Sequence, residues 1–214
     1  MNKPIHSPYS RAIIERTVQF NSLQAQRVMN RNFERLKQSL FSLSVILRII
    51  TDNEEEIEKI DTYIGDQFTV AETELSAAKA QLKKILEDNG IDNLAGYSKP
   101  ETYNVTLDTP RANTFLRLVT QLDELMVYMD TAWLAGEMDD KQKKNATFQW
   151  QQRLIKLSAR IIELEKRSRV AAEKKGKTEE VEANAPIDTV ETDAEVVAAS
   201  REVESEEMPL EATA

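Results

Sequence analysis

The sequence predicts a mainly α fold made of long helices and one short antiparallel two-stranded ribbon. Three observations lead to this reading. Apolar residues recur at helical spacing over four long stretches, while only two short stretches alternate apolar and polar side chains as a half-buried strand does. Those two stretches also resemble each other: TVQFNSLQAQ (17–26) and NVTLDTPRAN (104–113) align at an offset of 87 residues. Val18 falls on Val105, Phe20 on Leu107, Asn21 on Asp108, Ser22 on Thr109 and Ala25 on Ala112. Each copy reads as a strand entering a helix through a capping residue. Only the Val and Ala positions are identical, so generic capping competes with a true repeat as the explanation.

The first strand occupies about residues 16–20. Ser22 or Asn21 caps a helix from about Leu23 to Ile50, with Val28, Phe33, Leu36, Leu40, Leu43 and Leu47 on its apolar face. Thr51 or Asp52 caps the next helix, where Glu54 to Glu56 face the positive end of the helix dipole. Its stripe of Ile57, Ile60, Ile64, Ala71, Leu75, Ala78, Leu82 and Ile85 approaches heptad spacing as far as DNG (88–90), with an interruption or bend expected at Gly65. The loop NGIDNLAGYSKP (89–100) follows, marked by two glycines and a proline.

In TYNVTLD (102–108), Tyr103, Val105 and Leu107 point to one face and Asn104, Thr106 and Asp108 to the other. Thr109 at the cap and Pro110 at the first helical position open a helix to about Ala135, which Gly136 ends. Asp139 and Gln142 have capping-box spacing for a fourth helix, which directs Phe148, Leu154, Leu157, Ile161 and Leu164 toward a core. Beyond about Lys175 the chain is acidic and lacks aromatics, a composition that predicts disorder. The expected organisation is a helical body over residues 1–176, with strand-helix units at about 16–50 and 103–135, and an acidic disordered tail over 177–214.

A net charge of -9 over 214 residues would disfavour nucleic acid if it were evenly spread. It is not: residues 178–214 hold 12 acids and one base, Arg201, which leaves 25 acids and 27 bases in the body. Within the body, residues 1–50 carry 8 bases and 2 acids, 51–99 carry 5 and 12, and 141–177 carry 12 and 3. Two basic segments around an acidic middle fit a phosphate-binding face. The absence of cysteine excludes disulfides, thiolate metal sites and cysteine nucleophiles, and fits a cytoplasmic location. The apolar run LFSLSVILRII covers about 11 residues against the roughly 20 that span a bilayer, so no membrane partner is expected. The sole histidine, His6, sits near the N-terminus, there is no glycine-rich phosphate loop, and capping accounts for Asp139 and Asp140. No enzymatic activity, cofactor or metal is therefore expected.

If Val18, Phe20, Val105 and Leu107 pack on the helices, the opposite ribbon face presents Thr17, Gln19, Asn104 and Thr106. A two-stranded ribbon fits the DNA major groove, where Gln and Asn address adenine edges and Thr meets a thymine methyl. These four are the candidate base-reading residues, although an ordinary wet strand face has the same composition. Candidate phosphate contacts are Arg16, Ser22 and Thr109 at the helix starts, Arg111, and Lys141, Lys143 and Lys144. The rows Arg153, Lys156, Arg160 and Arg27, Arg31, Arg35 are equally compatible with solvated helix faces.

The stretches DTPRANTFLRL and WLAGEMDDKQKKNATFQWQQRLIKLSARI (133–161) resemble the AcaB family of regulators from conjugative plasmids and integrating conjugative elements. The resemblance covers most of residues 10–170 and leaves out the tail. It implies a transcriptional regulator with a ribbon-helix-helix element that activates conjugative-transfer genes on double-stranded DNA. Helices of roughly 25 residues after each strand depart from the compact first helix usual in such modules, so the expected fold is enlarged and ribbon-helix-helix-like. One chain supplying both strands is the hypothesis this suggests, with a homodimer left open. The acidic tail then competes with phosphate, contacts the transcription machinery or merely solubilises. The alternative function is a helical adaptor that oligomerises through the heptad-like second helix without touching DNA.

Overall fold

The first strand cannot stand alone, because a lone two-stranded ribbon is marginal in water and needs an apolar backing. In the computed structural model, which describes residues 12–186 and 194–203, that backing is a layer of long helices. Strand β1 (Ile14–Phe20) leads into α1 (Leu23–Val28), which continues through one π-helical stretch (Met29–Phe33) into α2 (Glu34–Ile50). Helix α3 (Glu54–Asp88) comes next, then β2 (Glu101–Leu107), α4 (Pro110–Leu134) and α5 (Asp140–Lys174), with α3 packed on α4 and α2 on α5. The short helices α6 (Thr178–Asn184) and α7 (Ala194–Val203) complete the described chain.

The ribbon forms within one chain. β1 and β2 pair antiparallel, from Ile14 opposite Leu107 to Phe20 opposite Glu101. The offset of 87 seen in the sequence carries β1 onto β2 residue for residue, and the first residue of α1 onto the first of α4. Thr17 pairs across the ribbon with Asn104, its own counterpart, so a pseudo-twofold axis passes between these two residues. The repeat also extends further than its sequence likeness: α3 and α5 are both 35 residues long and follow their respective helices in the same order. The chain is thus two strand-helix-helix units facing each other, an enlarged ribbon-helix-helix pair on one polypeptide.

Local chemistry explains most boundaries. Thr109 accepts from the Ala112 amide with Pro110 in the first turn, and Asp139 and Gln142 form a reciprocal capping box. Gly136, at φ 83°, closes α4 with the Glu137 amide donating to the Ala132 carbonyl. The cap of α3 is Asn53, not Thr51 or Asp52; Thr51 ends α2, and its hydroxyl accepts from the Asn53 amide while donating to Glu56. Helix α3 runs unbroken through Gly65, where a Cβ would lie 3.0 Å from the Arg111 guanidinium. That glycine makes room for an arginine rather than a bend.

The core lies between the two units. Phe33, Phe68 and Phe115 meet at its centre with ring centroids 6.4 Å apart in each contact, and Leu118, Val119, Leu122 and Leu125 are fully buried. Burial of each large apolar side chain contributes about 1.5–3 kcal/mol. The α3 stripe is spent inside the same core, with Ile60, Ile64, Leu75 and Leu82 buried, so it offers no open oligomerisation seam. Phe148, expected in the core, is 61% exposed, whereas Leu154, Leu157, Ile161 and Leu164 of the same helix are buried.

The expected disorder beyond residue 177 is corrected over the described residues. Val181, Ala185, Val196 and Ala199 bury against the body through α6 and α7, since alanine-rich acidic sequence forms helix readily once a few apolar residues find a surface. His6 lies outside the described residues. No helix among the described residues is long and apolar enough to cross a membrane, and no cluster of three metal-ligating side chains occurs among them.

Candidate nucleic-acid interface

Register fixes which ribbon side chains face solvent. Phe20, Val105 and Leu107 are buried and Val18 half-buried on the helix side. Thr17, Gln19, Asn104 and Thr106 are all exposed on the other side, where the sequence reading puts them. The Thr17 hydroxyl donates to the Asn104 carboxamide oxygen at 2.8 Å, which leaves the Asn104 amide protons facing out at the pseudo-axis. Two more residues share this face. Glu15 lies opposite Thr106 and Thr102 opposite Gln19, and both are exposed. Sequence reading started β1 too late to include Glu15, and left Thr102, within TYNVTLD, unassigned to the face that the same alternation gives it.

The junction of β1 and α1 is held by one buried carboxylate. Asp123 on α4, 5% exposed, accepts from the Asn21 backbone amide and side chain and from the Ser22 amide and hydroxyl, at 2.7–3.0 Å. It stands where an anion would sit at the positive end of α1. Ser22, expected as a phosphate contact, is itself fully buried, so its donors are used inside the protein. Beside it, the Gln26 carboxamide donates to the carbonyls of Phe20 and Lys99, tying the end of β1 to the loop before β2. The counterpart of Asp123 in the first unit is Leu36, and so the start of α4 has no such carboxylate.

The remaining candidate phosphate residues fall into distinct environments. Arg16 projects from the ribbon to α4, donating to the Asn113 carboxamide oxygen at 2.8 Å. Thr109 caps α4, and Arg111 two residues on pairs with Asp61 of α3 at 2.8 Å. Lys141 and Lys144 are exposed at the start of α5. Lys143 pairs with Asp130 at 2.7 Å, with its ammonium 3.8 Å from the Trp133 ring centroid. Other basic rows are drawn into the fold: Arg153 pairs with Glu74, Arg160 reaches Gln67, and Arg35 joins Ser39 and the buried Glu165 between α2 and α5. Each row thus has an arginine engaged within the fold, whereas Arg27 remains exposed.

A groove beside the Phe20–Glu101 end of the ribbon brings Lys143, Lys99, Gln24 and Tyr97 together. Tyr97 donates to Asp130, and burial beside that carboxylate pushes its phenol above the ordinary tyrosine range. Tyr103 packs on Phe20 and donates to Glu101 at 2.6 Å; burial, reinforced by that bond, pushes it up to about 12. Both phenols therefore act as neutral donors at neutral pH, fixing carboxylates at this end of the ribbon.

The fold is similar to that in the crystal structure of selenomethionine-containing AcaB from uropathogenic E. coli, with TM-score 0.85 and 45% sequence identity, covering 89% of this chain and 98% of that one. The chain belongs to the AcaB family. The two-unit architecture is thus shared with the AcaB of known structure. No protein-family model and no curated protein matches the chain.

Proposed function

We propose that this AcaB-family protein is a cytoplasmic, sequence-specific DNA-binding transcriptional regulator that lays its ribbon in the major groove. The observation that carries this reading is a solvent-facing ribbon of hydrogen-bonding side chains, completed within one chain and backed by a buried apolar face. Thr17, Gln19, Asn104 and Thr106 meet base edges, and Glu15 and Thr102 extend the reading surface. Lys141 and Lys144 meet phosphates, and Arg16 and Lys143 reach them from their present partners. Activation of conjugative-transfer genes is the role the family resemblance suggests, with the acidic tail offered to the transcription machinery. The protein needs neither a catalytic group nor a cofactor for this role.

Selection of binding sites from random duplex DNA by the intact protein at near-physiological salt tests the proposal. An enriched motif is the expected result. Recovery of no motif, with the protein shown to be folded, would instead favour a helical adaptor that engages partners by a surface other than the buried α3 stripe.

A further inference from the structure

In a ribbon made by two identical chains the same side chains appear on both sides of the twofold axis, and the site they read is a palindrome. Here the axis passes between Thr17 and Asn104, and the side chains around it differ. Glu15 has Thr102 as its counterpart, and Gln19 has Thr106. One half of the reading face therefore holds Glu15 with Thr106 across the ribbon, and the other holds Gln19 with Thr102. Their chemistry is not interchangeable. An ionised Glu only accepts, which suits the cytosine amino group; Gln donates and accepts, which suits adenine.

The flanks differ in sign as well. The Gln19–Thr102 half adjoins the groove of Lys143 and Lys99, where Lys143 is paired with Asp130 and Glu101 also lines the wall. The Glu15–Thr106 half runs into α4, whose Arg111 is likewise paired, with Asp61 of α3, so the difference in sign lies in the helix starts beyond. Counted from the first residues of the two 35-residue helices, Lys141 of α5 stands where α3 has Glu55, and Lys144 where α3 has Glu58. Equivalent positions thus attract phosphate on one side and repel it on the other.

We infer that the chain binds DNA in one fixed orientation on a non-palindromic site, with Glu15 and Thr106 reading one half and Gln19 and Thr102 the other. This rests on the DNA-reading function proposed above. A regulator fixed in this way presents the same face toward one direction along the DNA.

The chain has no cysteine, so a single introduced thiol carries a tethered iron-EDTA cleaver without ambiguity. Asp52→Cys, before α3, and Glu137→Cys, before α5, are exposed and hold neither helix cap. With the full chain on the duplex enriched by the intact protein, each variant is expected to cut one flank only, and the two to cut opposite flanks. A second selection, with Glu15→Gln, is expected to change the preferred bases only at the end cut from residue 52. Cutting of both flanks by each variant, or an enriched motif that is palindromic, overturns the fixed orientation while leaving DNA reading intact. Failure to enrich any motif overturns both.

Discussion

Replacing Thr17, Gln19, Asn104 and Thr106 together by alanine is expected to lower affinity for the selected site to the nonspecific level, a loss of roughly a thousandfold or more. The reason is arithmetic as well as chemical: each well-made contact to a base edge discriminates by about 1–3 kcal/mol, and four are removed at once. The four side chains are exposed, and only the Thr17–Asn104 hydrogen bond is lost from within the protein. Stability should therefore stay within about 1 kcal/mol of the parent. Binding isotherms on the selected duplex and on a scrambled one provide the check. Unchanged discrimination between the two duplexes would move base reading to another surface.

The second large effect falls on Asp123. Asp123→Ala strands the Ser22 amide and hydroxyl in a buried setting and removes the partner of the Asn21 amides, for an expected cost of about 3 kcal/mol. Asp123→Asn keeps one acceptor oxygen and should lose less. Urea denaturation midpoints of the two variants give the order directly. Because Asp123 ties α4 to the end of β1, the alanine variant should also weaken specific binding at temperatures where it remains folded, an effect no exposed charge on α4 would reproduce. Equal stability of Asp123→Ala and the parent would mean that the carboxylate does not hold the ribbon.

How much of this was legible in the sequence follows from the range of each signal. The strands, the Thr109 and Asp139 caps and the buried stripes depend on residues a few positions apart, and periodicity finds them. The offset of 87 disclosed the repeat only where both copies need the same local chemistry. It failed over α3 and α5, which share length and place but carry opposite charge at equivalent positions, such as Glu55 and Lys141. Long-range partners were the other blind spot. Nothing near Ser22 announces that Asp123, 101 residues away, will occupy its donors, nor does the sequence around Arg111 announce Asp61. The α6 and α7 helices were hidden by composition, because their few apolar residues are diluted by acids and acquire meaning only against α2 and α5.

The claim that the ribbon reads the major groove is tested most directly by changing the groove and not the protein. Uracil in place of thymine, and 7-deazapurines in place of purines, remove methyl groups and N7 acceptors from the major-groove edge while leaving the minor-groove edge unaltered. Affinity for the selected duplex should fall stepwise as these replacements enter its central base pairs. Full affinity for a duplex substituted throughout would contradict the account.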